Sequence, residues 1–242
     1  VVKECEVKAV ENLCQEQSLS CIIVEQKHGY FTHALNIGKK EAEGDITVFA
    51  DDDIIPPRKW LERYIRMHTI YNHVAGVCSR DIYVDLERLK LLPAPDDKPL
   101  VKFYRLFVRS WLEAPLPLLI KYRLGVYITS KLNIAHGFCI PNKTCYSLSF
   151  RGANMSFKTN HIYDVWFPEH ELLKRAPGNE QYFALQLILK GLDIIYTPSN
   201  PVLHIERRES LSRTRHSEEL KREIEIMKVF YKELLQRHGV TV

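Results

Sequence analysis

The stretch Glu43-Gly-Asp-Ile-Thr-Val-Phe-Ala-Asp-Asp-Asp-Ile-Ile-Pro-Pro-Arg-Lys-Trp60 decides how the rest of the chain is read. Ile46 to Ala50 is a short apolar run with β-branched residues, the pattern of a strand buried on both faces. It runs without a break into three aspartates, Asp51, Asp52 and Asp53. Pro56 and Pro57 fit the first turn of a helix reaching about Tyr71, where proline has no hydrogen-bonding N–H to lose. Strand, acidic turn and helix in this order make half of a β-α-β unit. In open sheets built from such units, ligands sit beyond the carboxyl ends of the strands, and the aspartates stand at one such end.

The same alternation recurs on both sides. Residues 1–18 place Val2, Val7, Val10, Leu13 and Cys14 at helical spacing, and Ser20 to Glu25 reads as a buried strand. Residues 31–43 read as a helix stopped by Gly44, and Val74 to Cys78 as another strand. Further on come Ser147 to Phe150, Arg151 to Phe157, a helix at 179–190 ended by Gly191, and strands at Asp193 to Tyr196 and Val202 to Ile205. A last helix, 216–238, carries Leu220, Ile224, Met227, Phe230, Tyr231 and Leu234 on one face. The fold expected is α/β, a mostly parallel Rossmann-like sheet flanked by helices. One domain would cover 1–215, with 216–242 as a C-terminal helix packed on or extending from it.

Segment 81–144 breaks the rhythm. It holds Pro93, Pro95, Pro99, Pro115 and Pro117, and an apolar stripe of Phe103, Tyr104, Phe107, Val108, Trp111 and Leu112 interleaved with Lys102, Arg105 and Arg109. Two readings are open: a helix packed on the domain, or a basic amphipathic element lying on a membrane surface. The segment is expected to be an insertion.

Composition narrows the classes. The 34 basic and 30 acidic residues are too balanced for a nucleic-acid partner. The six cysteines are scattered, with no CxxC pair, which fits a reducing cytosol better than a secreted scaffold. Cys139 and Cys145 read as ordinary half-buried thiols. No run reaches the roughly 20 apolar residues of a spanning helix. The expected place is the cytoplasm, at the membrane face if residues 100–128 rest there. The chain opens at Val1 inside a helical pattern, as a fragment would.

Three adjacent carboxylates repel one another unless something positive neutralises them. A hard, oxygen-seeking cation such as Mg2+ or Mn2+ does so, above all one that also holds a diphosphate. A solvated acidic turn capping the following helix is the rival, and the residues alone leave the two level.

The surroundings break the tie. Ala34-Leu-Asn-Ile-Gly38, Gly44-Asp45 before the strand, the aspartate cluster, Pro57-x-x-Trp60 and Arg151-Gly-Ala-Asn-Met-Ser-Phe157 stand in register with Asn179-Glu180, Gly191, Pro198 and His204. In this order and near this spacing they resemble the family 2 glycosyltransferases of the GT-A fold, over roughly two thirds of the chain. The resemblance implies metal-dependent, inverting transfer of a sugar from a nucleoside diphosphate donor, UDP or GDP. The acceptor would be a hydroxyl on a glycan or a lipid-linked acceptor, in glycan or glycolipid synthesis.

Roles follow from the same resemblance. Asp51 would stand near the ribose and donor sugar and reach the metal, Asp53 would bind the metal, and Asp52 would serve either job. His204 would contact metal or diphosphate, its rival being a partly buried structural histidine. Asn36 would be structural or near the nucleotide. Arg208 and Arg213, with Arg207, Ser210 and Ser212, would form a basic lid over the phosphates, or else a plain solvated loop. Gly152, Ala153, Asn154 and Asn179 would lie on the acceptor side. Glu180 would be the catalytic base, replacing the family's aspartate as Asn179 replaces its glutamate, with Glu169 and Glu171 in reserve. An acid complementing the helix dipole is the plainer reading of Glu180.

Two departures stand out. The strand and Pro-Thr-Tyr-Asn-like loop that open family members do not precede Glu4 to Cys14. Glu25 and Gln26 occupy the place of the aspartate that grips the base, so Glu25 would substitute. These departures favour a rival reading, a degenerate GT-A domain that binds a glycan or protein without turnover. A nucleotidyltransferase would need a Gly-rich phosphate loop, and none is visible in the sequence.

Overall fold

Residues 4–92, 98–206 and 218–241 are described by a computed structural model. In chain order the elements are α1 (Glu4–Glu16), α2 (Phe31–Lys40), β1 (Ile46–Ala50), β2 (Ile54–Ile55), α3 (Trp60–Ile70), β3 (Val74–Cys78), β4 (Asp81–Asp85) and β5 (Lys90–Leu91). Next come α4 (Pro99–Phe103), continued by a π-turn (Tyr104–Val108) into α5 (Arg109–Leu112), a 3-10 turn (Pro117–Tyr122), β6 (Val126–Ile128), β7 (Ile134–His136) and β8 (Cys145–Tyr146). The chain ends with β9 (Asn154–Lys158), α6 (Thr159–Ile162), α7 (Asn179–Leu189), β10 (Asp193–Tyr196), β11 (Val202–Ile205) and α8 (Glu218–Arg237).

The main sheet has the order β1-β9-β3-β10-β8. Only β3 and β10 run parallel in it; the other pairings are antiparallel, so the α/β class stands while the mostly parallel pairing does not. The reason is β9, which enters between β1 and β3 and runs against both, pairing Asn154 with Ala50 and Met155 with Cys78. Apolar groups cover both faces. On one, Tyr64 and Met67 of α3 meet Val74, Val77 and Ile195. On the other, Phe49, Phe157, Phe167 and Phe183 of α7 form an interlocked aromatic cluster, with Phe167 stacked on Phe183 at 4.3 Å. Gly76 is required there, because a Cβ would stand 2.5 Å from the Phe157 ring.

A second sheet, β2-β11-β4-β5, stands beside the first. It takes in β4, so the opening of segment 81–144 is part of the domain's sheet rather than inserted into it. Helix α8 docks on α7, burying Met227, Tyr231, Leu234 and Leu235. Cys14, Cys21, Cys78, Cys139 and Cys145 are free thiols.

Two expectations fail for physical reasons. Ser20 to Glu25 is not a strand: the run is irregular coil, with Ile22 60% and Val24 50% exposed. A strand needs a neighbour for its N–H and C=O groups. Among the described residues this run has none, and β1 is paired on one side alone. Helix α3 begins at Trp60 rather than Pro57, because Lys59 takes a left-handed conformation (φ 67°) and the Trp60 N–H closes a turn on the Pro57 carbonyl.

Asn154 ties these parts together. Its Oδ1 accepts Trp60 Nε1–H at 3.0 Å and the Tyr64 hydroxyl at 2.6 Å. Its Nδ2 donates to the carbonyls of Arg80 at 3.0 Å and Asn200 at 2.9 Å. The side chain is fully buried, so Asn154 is a structural hub and not an acceptor contact. Replacing it by alanine strands buried donors and acceptors, and Asn154→Ala is expected to cost about 3 kcal/mol of unfolding free energy in urea melts. A loss under about 0.5 kcal/mol would show that water takes over these bonds.

Candidate active site

The small second sheet assembles the acidic site. Asp51 follows directly on the carboxyl end of β1, and β2 then pairs antiparallel with β11, setting Ile54 opposite His204. The Ile205 N–H donates to the Asp53 carbonyl at 2.8 Å, which pins the turn. Strand β11 runs parallel to β4, setting His204 opposite Tyr83. One ligand atom from each of Asp51, Asp53 and His204 thus comes within 4.8 Å of the others.

Asp81 organises this cluster from below. Its carboxylate, 1% exposed, receives His204 Nδ1 at 3.0 Å on one oxygen and Arg151 Nε at 2.8 Å on the other. Arg151 also donates to the Tyr83 hydroxyl at 2.7 Å, and the Tyr83 ring lies 5.1 Å from that of His204. A histidine whose Nδ1–H is taken by a carboxylate presents Nε2 as the free ligand atom. Here Nε2 points at Asp53, 3.3 Å away.

Electrostatics follow from the geometry. Burial opposes charge on His204, but the hydrogen bond and charge of Asp81, then the charges of Asp53 and Asp51, outweigh it and raise its pKa above the ordinary 6.5. The Asp51 carboxyl is raised by burial first and next by Asp53, with His204 working the other way. Two carboxylates and an imidazole are a hard, mixed O/N donor set, which fits Mn2+ or Mg2+.

Glu180 stands at the start of α7, half-buried. Burial raises its pKa, hydrogen bonds from its own N–H and from the Gln181 amide lower it, Arg151 lowers it and Asp51 raises it. It therefore shares one electrostatic field with the acidic cluster. The turn before it is held from α8. Glu223, 2% exposed, accepts the Arg175 and Ala176 N–H groups at 2.9 and 2.8 Å, and the Tyr231 hydroxyl donates to the Gly178 carbonyl at 2.7 Å. That turn needs Gly178 at φ 92° and forces Ala176 to φ 45°.

Other expected residues fall elsewhere. Asn36 is committed to bridging α2 to the following loop, donating to Phe167 O and Glu169 Oε1 and accepting the Phe167 N–H, so its contacts are structural. Glu169 is tied up by Asn36 and His33. Glu25 lies in exposed coil, and Asp52 is exposed beside the cluster. Gly152 borders open space, Ala153 is buried, and Asn179 is buried with its Nδ2 on the Ala176 carbonyl. Arg207, Arg208, Ser210, Ser212 and Arg213 lie outside the described residues. A cleft of about 620 Å³ lined by Glu43, Asp45, His68, Lys158 and Tyr163 opens at the other end of β1, away from the aspartates. Sequence reasoning missed Asp81, Arg151 and Glu223. Asp81 carried a signal, since it closely follows a buried strand just as Asp51 does; Glu223 carried none.

The fold is that of the GT-A glycosyltransferases. Structures with this fold include S. aureus TarS (residues 1–349) with UDP-GlcNAc, at 16% identity and TM-score 0.56, covering 95% of this chain and 54% of that one. GalNAc-T7 with UDP, GalNAc and Mn2+ matches at 12% identity and TM-score 0.57, covering 97% and 42%. The mannosyltransferase PcManGT from Pyrobaculum calidifontis with GDP-Man and Mn2+ matches at 15% and 0.51, covering 99% and 61%. The chain thus spans roughly half the length of these proteins. Residues 6–115, which carry the aspartates, match the model of glycosyl transferase family 2. No curated protein matches the chain in sequence.

A protonated imidazole cannot bind a metal, and the raised pKa of His204 keeps its proton on to higher pH than in free histidine. Mn2+ affinity, measured by calorimetry, is therefore expected to rise as pH passes upward through that raised value. Asp81→Asn is expected to move the midpoint down, and His204→Ala to abolish the step. An unchanged midpoint in Asp81→Asn would remove Asp81 from this role.

Proposed function

We propose that the chain transfers a sugar from a UDP- or GDP-linked donor to an acceptor hydroxyl, with inversion at the anomeric carbon. The observation that carries this reading is the meeting of Asp51, Asp53 and His204, with Glu180 in the same field. The UDP- and GDP-sugars named with TarS and PcManGT support a nucleoside diphosphate donor of either base.

Asp51, Asp53 and His204 would hold Mn2+ or Mg2+, which when bound supplies Lewis-acid stabilisation of the leaving diphosphate. Asp81 fixes the ring of His204, and Arg151 offsets the negative charge beneath it. Glu180 takes the proton of the acceptor hydroxyl on its carboxylate. Its raised pKa gives it more proton affinity than a surface glutamate, and Arg151 opposes the rise. Gly152 and Asn179 border the acceptor side, and Asp52 stands at the donor side. Arg208 and Arg213 would supply positive charge to the diphosphate from the segment after β11. The acceptor is a glycan or a lipid-linked chain, worked on at the cytoplasmic side.

One observation favours the rival, a degenerate domain without turnover. The run from Cys21 to Glu25, where the donor base would be gripped, is exposed coil. Melting with UDP or GDP, with and without Mn2+, tests the reading first. Metal-dependent stabilisation of roughly 5 °C near saturation, absent from Asp53→Ala, is expected. Release of nucleoside diphosphate from the matching sugar donor should then fall by about 10²- to 10⁴-fold in Glu180→Gln, while stabilisation by nucleotide persists. Stabilisation without release in the unsubstituted chain would establish the degenerate reading instead.

A further inference from the structure

The helix running from Pro99 to Leu112 lies on the domain with its polarity reversed. Arg105 and Arg109 face inward, each 9% exposed. Arg105 donates to the Ile140 carbonyl and meets His136 Nδ1, while Arg109 donates to the His136 carbonyl and pairs with Glu113 at 2.5 Å. The opposite face is apolar and open. Leu100 is 79%, Phe103 57% and Phe107 58% exposed, and the two phenyl rings sit 4.9 Å apart as an i, i+4 pair. A helix stripe of this kind is ordinarily turned to the core, so an outward one marks a surface that something covers.

The neighbouring surface continues the pattern. Segment 136–143 lies under the helix through the two arginines and brings up exposed Phe138, with Lys143 Nζ 5.4 Å from its ring. The Cys139 N–H bonds the Leu124 carbonyl, setting exposed Leu124 alongside. Charge identifies the occupant. From residue 98 to 150 the sequence holds eight lysines and arginines against one acid, Glu113, while the chain as a whole balances 34 against 30. Arg105 and Arg109 are spent inward and Lys121 on Asp193, but Lys98, Arg123, Lys131 and Lys143 are exposed. Glu113 is already paired with Arg109. An apolar centre with a cationic surround fits an anionic lipid surface, which takes aromatic side chains at its acyl boundary and lysines at its headgroups. A second copy seated by two-fold symmetry would set this positive face against itself.

We propose that this face docks the domain on an anionic membrane surface, with Phe103 and Phe107 entering the interface and Lys98 and Lys143 among the headgroups. The face is also joined to the catalytic turn. His136, gripped by both arginines, ends β7, and Ile134 at the start of that strand abuts Gly178, where a Cβ would stand 2.6 Å from Ile134 Cδ1. A lipid-borne acceptor held at the membrane would thus approach the end of the site where Glu180 stands.

The test is sedimentation of the chain with vesicles of mixed phosphatidylglycerol and phosphatidylcholine, read without donor or metal. Failure of the transfer reading would leave this result untouched. Binding is expected to the anionic vesicles, to weaken with salt, and to be lost on pure phosphatidylcholine. Phe103→Ser with Phe107→Ser, and separately Lys98→Glu with Lys143→Glu, should each weaken it roughly tenfold or more, with unchanged circular-dichroism melts. Tyr163→Ser, exposed beside the distant cleft, should bind as the unsubstituted chain does. No binding to anionic vesicles, or equal binding by both double variants, overturns the proposal. So does a dimer in velocity sedimentation that the phenylalanine pair alone dissolves, which would make the face an interface between copies.

Discussion

The contact on which the rest of the site depends is the one between Asp81 and His204. A carboxylate with 1% exposure is tolerated because both its oxygens are charge-paired, one by His204 and one by Arg151. That pairing orients the imidazole toward Asp53, and it brings three separate stretches of chain to one point. Asp53 comes from the turn after β1, Asp81 and Tyr83 from β4, and His204 from β11. The second sheet exists at this spot to make them neighbours: β11 is hydrogen-bonded to β2 on one side and β4 on the other.

A second constraint works on the turn that precedes α7. Residues 175–178 adopt a path that places Ala176 and Gly178 at positive φ, and such a path persists only where its surroundings over-determine it. Those surroundings come from α8. Glu223 takes two backbone donors of the turn and Tyr231 donates to one of its carbonyls, so the C-terminal helix holds the turn that leads into Glu180. Tyr231 also feels the charge of Glu180, which together with burial raises the phenol's pKa well above 10.

Missing or alternative polar partners explain two of the places where local pattern and final structure diverge. The Cys21 to Val24 run has the composition of a strand, but composition gives no hydrogen-bond partner, and the run stays irregular and exposed. The 99–112 stripe has the spacing of a packed helix, yet its arginines found carbonyl acceptors on the 136–140 loop and left Phe103 and Phe107 outside. Among the described residues, no helix is long and apolar enough to cross a membrane.

Elements whose signal is local can be read directly from the chain. Strands 46–50, 74–78, 193–196 and 202–205 are where their apolar runs stand, helix 218–237 follows its periodic face, and helices 31–40 and 179–189 end near the glycines that mark them. The sequence also shows that Asp51, Asp52 and Asp53 sit beyond a strand's carboxyl end, because a buried apolar run followed by carboxylates has few other solutions. Only the tertiary structure decided that β9 runs antiparallel between β1 and β3, that Asn154 and Asn36 are structural, and that Asp81 and Glu223 are the supports of the site. These depend on pairings between residues 47 to 131 positions apart, and a side chain's partner at that range leaves no mark on the spacing of its neighbours.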